Sequence, residues 1–284
     1  MAQPLKVIKN RIRSVENATK VTHAMEMISV AKLNQIDKAL FALRPYQTKL
    51  EAMVANLASA DGECANPLFV KRPRVERIVL CVVASDNGLC GLYNYNIFKA
   101  ADRFIETTGR DKVSLILVGR KAVNYFRKKN IPILHQYVGL NGRYDNIISD
   151  EITGILTKLF VSQKADQIFI AYTYFHTGFQ QDAVIDKFLE IGLTASRAGI
   201  YLLEPNFAQL VDAIAMRYLI GKMRLVFLQA FTSEHATRSL AMRTATSNGE
   251  ELLEGLVLLR NKVRQANITQ EMLEIISSSE ALKG

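Results

Sequence analysis

Residues 207–276 read FAQLVDAIAMRYLIGKMRLVFLQAFTSEHATRSLAMRTATSNGEELLEGLVLLRNKVRQANITQEMLEII, and no proline interrupts this run or follows it. Apolar or small residues step through Ala241, Ala245, Asn248, Leu252, Leu256, Leu259, Val263, Ala266 and Leu273. Steps of mostly three and four mark one face of an α-helix. As a single helix at ~1.5 Å per residue, the run is roughly 100 Å long, much longer than a small domain is wide. Glu204, Pro205 and Asn206 punctuate its start. Gly221, Gly249 and Gly255 each cost such a helix about 1 kcal/mol relative to alanine, so neighbouring elements must compensate.

The other end of the chain carries a matching run. From Leu5 to about Ala58 there is no glycine, and Pro45 is the only proline. Leu5, Ile8, Ile12 and Val15 share one helical face, as do Leu33, Ile36, Leu40 and Leu43; between them the stripe thins to Ala18, Thr22, Met25 and Ile28. Pro45 is expected to bend or interrupt the helix. Two long helices at opposite ends of a chain meet only if they run antiparallel and the middle closes the loop. Their heptad-like seam implies a two-stranded coiled coil, a rod that resists bending and transmits torque.

The middle alternates between short apolar runs and helical patterns. Residues 77–84 and 113–118 and 167–174 are β-branched and apolar, the pattern of buried strands in a parallel sheet. Residues 131–138 and 183–189 are weaker strand candidates, and helical patterns lie near 94–106, 121–129 and 147–162. The expected fold class is therefore α/β: a Rossmann-like, doubly wound domain of about five strands over residues 75–205, plus an antiparallel coiled-coil shaft drawn from 1–60 and 207–284. Residues 61–67 read as a loop, followed by the basic run Lys71, Arg72, Pro73, Arg74.

Composition removes several function classes. With 49% hydrophobic residues the chain can build a sizeable core, yet no apolar run reaches the ~18–20 residues that span a bilayer. The N-terminus has no apolar signal core, and no long acid-poor presequence precedes the first helix. Cys64, Cys81 and Cys90 lack CxxC spacing and histidine partners, so neither a zinc site nor a disulfide framework is indicated and a reducing compartment fits. His23, His135, His176 and His235 are scattered, without triad or metal spacing. The stretch Ser85-Asp86-Asn87-Gly88-Leu89-Cys90-Gly91 follows a strand and opens a helix, where a phosphate cradle is conceivable. It matches neither glycine-rich nucleotide motif. It reads instead as a structural turn in which Gly88 and Gly91 allow tight backbone approach, with Cys90 a small buried packing group. No cofactor is expected.

The net charge of +9 is uneven: residues 1–50 hold nine Lys or Arg against three acids. Such a helix suits nucleic acid, an anionic membrane surface or an acidic protein partner. Nucleic acid is disfavoured because no aromatics interleave with the basic residues and the last third is near neutral. An enzyme built on the α/β domain would need a phosphate loop or an acid–base constellation, and neither is present.

Three blocks carry a resemblance to a known family. The first runs from Ile8, Lys9, Arg11 and Ile12 through Asn17, Lys20, Ala24, Met25 and Met27 to Ala31, Lys32 and Leu33; the second is the stretch 85–91 with Asn94. The third begins Ser233, Glu234, Ala236, Arg238, includes Met242, Ala245 and Asn248, and ends Asn261, Lys262, Arg264, Gln265, Ala266, Ile268, Thr269, Gln270, Glu271. In order and spacing the chain resembles, nearly end to end, the gamma subunits of rotary ATP synthases.

The resemblance implies a non-catalytic central-stalk subunit. Its paired terminal helices would enter a ring of alternating alpha and beta subunits, and its middle domain would sit against the epsilon subunit and the c-ring. Ion flow would turn the c-ring and this chain with it, driving ATP synthesis or hydrolysis in the ring. It would be a peripheral membrane protein, through the complex, on the cytoplasmic side of a bacterial inner membrane. Lys9, Arg11, Lys20 and Lys32 would face acidic loops of beta through many weak contacts, each worth only ~0–1 kcal/mol. Met25, by itself an ordinary packing residue, would lie near the same loop. Arg264 and Gln265 would hydrogen-bond a loop of beta. Chloroplast-type relatives carry a regulatory cysteine pair; nothing between Leu189 and Pro205 here contains cysteine, so thiol switching is not expected.

Overall fold

The computed structural model describes residues 5–58, 66–176, 181–192 and 207–281. The expected helix start at 204–206, most of the loop at 61–67 and Cys64 lie outside the described residues. The elements in order are α1 (Leu5–Ala58), β1 (Ile78–Val83), α2 (Tyr93–Thr108), β2 (Val113–Val118), α3 (Arg120–Phe126), β3 (Ile133–Tyr137), α4 (Asn146–Val161), β4 (Gln167–Phe175), β5 (Gln181–Leu189) and α5 (Phe207–Ala281). Long terminal helices thus flank a five-stranded sheet. By its internal contacts the chain divides into two compact units, one made of residues 1–28 and 239–284, the other of 29–238.

In the larger unit the sheet order is β3-β2-β1-β4-β5. The pairs β1–β2, β1–β4 and β2–β3 are parallel, whereas β4–β5 is antiparallel. That last pairing departs from an all-parallel expectation. Only a short link joins β4 to β5, and a parallel return needs a crossover of a dozen or more residues. Every residue of β1 is buried, and alternate residues serve opposite faces. Ile78, Leu80 and Val82 pack with Ile97, Phe98, Ala101 and Phe126 of α2 and α3. Val79, Cys81 and Val83 join the larger core, with Ile152, Leu156 and Phe160 of α4, Ile36 and Leu40 of α1, and Phe227 and Phe231 of α5. The terminal helices are therefore part of this unit's core and not merely attached to it.

α1 runs through Pro45 without a break. The ring removes the N–H that would reach the carbonyl of Phe41, but both residues are exposed, Phe41 at 77%, so water can satisfy the freed oxygen.

In the smaller unit the two helices run antiparallel. Thr22 Oγ1 meets Thr246 Oγ1 at 2.8 Å, and Arg243 Nε donates to Glu26 Oε1 at 2.8 Å. Among the described residues Ile8, Ile12 and Leu256 form a small buried apolar cluster, flanked by Val15, Leu253, Val257 and Val263. The seam differs from the expected one by a residue. On α1 it continues from Val15 through Thr19, Thr22 and Glu26, not through Ala18 and Ile28; Glu26 is buried while Ile28 is 57% exposed. On α5 it uses Met242, Thr246, Gly249, Leu253, Leu256 and Val263, leaving Leu252 and Leu259 more than 40% exposed. Steps of four and three still alternate, as a heptad requires, but polar and small residues occupy the middle. A Cβ on Gly249 would collide with Thr19 Oγ1, and in the larger unit one on Gly221 would collide with Gln47 Oε1. Those two glycines let the helices approach; nothing in the structure explains Gly255. The expected seam positions Ala266 and Leu273 are not buried: residues 264–279 are all exposed among the described residues.

Candidate functional site

A buried polar joint in the larger unit ties α1, α5 and two sheet-end loops together. Arg238 of α5 is its centre. Its Nη2 donates to Glu234 Oε1 at 2.7 Å and to the Asn87 carbonyl at 3.4 Å, and its Nε donates to the Gly88 carbonyl at 3.3 Å. One turn earlier, His235 bridges Arg238 and the β3–α4 loop: Nε2 lies 2.9 Å from the Gly142 carbonyl and Nδ1 lies 3.3 Å from Arg238 Nη1. From α1, Lys32 Nζ donates to the Asn141 carbonyl at 3.1 Å, and Asn87 Nδ2 donates to Asn141 Oδ1 at 3.1 Å. Gly142 has φ +65°, and a Cβ there would come 2.5 Å from His235 Nε2. Glycine is therefore required for the histidine to reach the backbone.

The partners fix the protonation state of His235. A carbonyl only accepts and a guanidinium only donates, so Nε2 carries the hydrogen and Nδ1 accepts. The ring is neutral. Burial holds its pKa down, to about 4, helped by the neighbouring Arg238 and Lys32 and opposed by the Gly142 carbonyl. Glu234 is 1% exposed; burial pushes its carboxyl up, and the Arg238 guanidinium pulls it back. Its Oε2 has no hydrogen-bond partner among the described residues. A buried pair of this kind costs most when one member is removed and the other remains charged. Burial and the nearby Arg143 lower the pKa of Lys32. Beside the joint, Lys32, Gln35, Ile36, Arg143, Tyr144 and Leu228 are among the residues lining a groove of about 410 Å³.

The β1–α2 loop is a turn, but its glycines divide the work differently from expectation. Gly91 takes φ +54°, beyond easy reach of other residues. Gly88 lies outside that region, and a Cβ on it would make only ordinary contact with Lys121; its contribution is the carbonyl that Arg238 binds. The close approach belongs to Gly119, φ +94°, where a Cβ would strike the Ala84 backbone. Cys90 is buried as expected, with its Sγ 3.2 Å from Asn94 Nδ2. Burial raises its thiol pKa and pushes that of Cys81 up to about 12, so neither is a ready nucleophile.

The residues expected to touch partners do not form one cluster. Lys9, Arg11 and Lys20 are exposed on α1, Met25 is half-buried on the same helix, and Arg264 and Gln265 are exposed on α5, all in the smaller unit. Lys32 alone belongs to the joint. In the sequence Glu234 and Arg238 stand out only within the third resemblance block, and His235 is one of four scattered histidines. The legible signal was Glu234 followed by Arg238 at helical i,i+4 spacing.

Residues 4–282 match the ATP synthase family model. The ATP synthase gamma chain of Protochlamydia amoebophila is 35% identical over 98% of this chain and 99% of its own length; that of a Geobacter species is 35% identical over 99% of both. Among solved structures, a chain of the Euglena gracilis mitochondrial ATP synthase rotor superposes with a TM-score of 0.64 at 15% identity, covering 93% of this chain and 98% of that one. A chain of the Tetrahymena thermophila central stalk and c-ring superposes with a TM-score of 0.60 at 18% identity, covering 79% and 99%.

Proposed function

The chain belongs to the ATP synthase gamma chain family, and from that premise we propose that it is the rotor shaft of an F-type ATP synthase. It passes torque between an ion-driven c-ring and a ring of alpha and beta subunits, coupling proton translocation to ATP synthesis or hydrolysis. The chemistry takes place in the ring and this chain is a non-catalytic subunit. Residues 1–60 and 207–284 supply the shaft, and 75–205 supply the globular domain that meets epsilon and the c-ring.

The observation that carries this reading is the pair of unbroken helices of 54 and 75 residues, joined where they meet the sheet by a buried polar knot. Such a knot resists relative movement of the elements it ties because Arg238 and His235 of α5 are bonded to backbone carbonyls of two different loops. The free end of α5 supports it further. Ile268, Met272, Leu273, Ile275 and Ile276 are each 46–66% exposed, an apolar face suited to a close-fitting sleeve supplied by other subunits. No helix among the described residues is long and apolar enough to cross a membrane. The complex is membrane-associated, and this chain reaches the cytoplasmic face of a bacterial inner membrane through it.

Lys9, Arg11 and Lys20 offer exposed cations to acidic loops of beta. Lys32 does so with the N–H groups left after Asn141, and with Arg143 it lends the nearby groove a basic rim. Arg264 and Gln265 hydrogen-bond a further loop of beta, and Met25 lies near the first. Two measurements test this reading. In membrane vesicles carrying the assembled complex, omission of the chain should abolish ATP-driven proton pumping; pumping that persists would refute the shaft role. Met25→Lys should lower the protons pumped per ATP hydrolysed by adding an ion pair that hinders turning, and unchanged coupling would remove Met25 from the contact.

A further inference from the structure

The carboxyl end of β1 lies between β2, which continues the sheet toward β3, and β4, which continues it the other way. In open α/β sheets the crevice at such a reversal receives ligands, often anionic ones. Here it holds the side chain of Asp86, only 6% exposed. Oδ1 accepts from the backbone N–H of Arg120 at 2.9 Å and of Gly139 at 3.0 Å, and Oδ2 accepts from that of Asn141 at 2.7 Å. Among the described residues Asp86 makes no ion pair within 4 Å. The donors come from segments that follow β2 and β3, whereas the carboxylate comes from the segment that follows β1. Anion and receptor are therefore separate parts of the chain. Gly139 and Asn141 both take positive φ, which turns their N–H groups inward, as in backbone nests that bind anions.

We propose that this crevice is an oxyanion site whose resident ligand is the chain's own Asp86. The carboxylate holds the place a phosphate or free carboxylate would take, and its charge repels a second anion. The α/β domain is thereby closed to nucleotide phosphates at the point where related folds admit them. Arg238 seals the outside by holding the same loop through the Asn87 and Gly88 carbonyls. Removing the side chain should uncover a site for a small carboxylate of matching size.

The test uses the purified full chain. Asp86→Gly deletes a group shaped like acetate, and Asp86→Ala one shaped like formate. Thermal unfolding is followed against acetate for the first and formate for the second, at constant ionic strength made up with chloride. Each matched carboxylate should raise the variant's midpoint saturably, recovering roughly half or more of what the substitution lost, as expected for a ligand that binds only the folded state. The unsubstituted chain should gain nothing. Neutral acetamide should fail, because it presents one acceptor atom to three donors. Absence of saturable recovery, equal recovery by acetamide, or the same shift in the unsubstituted chain would each overturn the proposal. If a variant does not fold unaided, the yield on refolding with and without its matched carboxylate becomes the readout, with the same outcomes deciding.

Discussion

The helix pair of the smaller unit and the body of the larger unit hold together by different means. The body buries whole aromatic and aliphatic side chains on both faces of a sheet; Phe126, Phe160, Phe188 and Phe231 are each under 2% or at 2% exposed. The pair buries Ile8, Ile12 and Leu256, then continues through threonines, a glycine and the Glu26–Arg243 bond. Apolar area stabilises at about 25 cal/mol per Å², so the body's stability is intrinsic. The pair's polar layers contribute mainly register, as polar residues in coiled-coil seams do. The helix pair thus has little deep core of its own, whereas the body is packed on both faces of its sheet.

The largest effect should come from opening the body. Phe231→Ala removes a ring packed 5.6 Å from that of Phe227 and should cost about 3–5 kcal/mol, read from urea unfolding of the full chain. Acid should strike the same body through His235. Its pKa is held near 4 when folded, against about 6.5 when unfolded. Its contribution is whole above pH 6.5 and is lost as pH falls toward 4, amounting to roughly 2–4 kcal/mol at ~1.4 kcal/mol per unit. Glu234, with its raised pKa, acts in the opposite sense. The measurement is therefore the pH dependence of the stability difference between the chain and His235→Gln, which keeps a donor and an acceptor without titrating; a flat difference would contradict the neutral state assigned to the folded ring.

The helix pair should respond locally. Ile8→Ala should cost about 2 kcal/mol, seen as faster hydrogen exchange of amides within residues 5–28, with those of β1 unchanged. The smallest effect belongs to the threonine layer. Thr22→Val should cost about 1 kcal/mol by leaving Thr246 without its partner, and adding Thr246→Val should restore most of it; a double-mutant cycle measures the difference.

Much of the body was legible in sequence. The β-branched runs, the helical runs between them and the doubly wound order follow from hydrophobic periodicity, and periodicity reports burial one residue at a time. Periodicity places the middle of the pair's seam one position away because Thr19, Glu26 and Gly249 carry no hydrophobic signal, while exposed Ile28, Leu252 and Leu259 do. The joint was hidden for the same reason. Glu234, His235 and Arg238 sit at ordinary helical spacings, and only folding brings them to Asn87, Gly88 and Gly142.

The amino-acid sequence by itself determined two long helices enclosing an α/β sheet, because the length and period of an apolar pattern are properties of a single strand or helix. Tertiary structure alone decided the antiparallel edge strand, the glycines that sit at close contacts, the neutral state of His235 and the amides that surround Asp86. Each of these depends on complementarity between segments far apart in the chain, and complementarity is a relation between two surfaces that neither segment records separately.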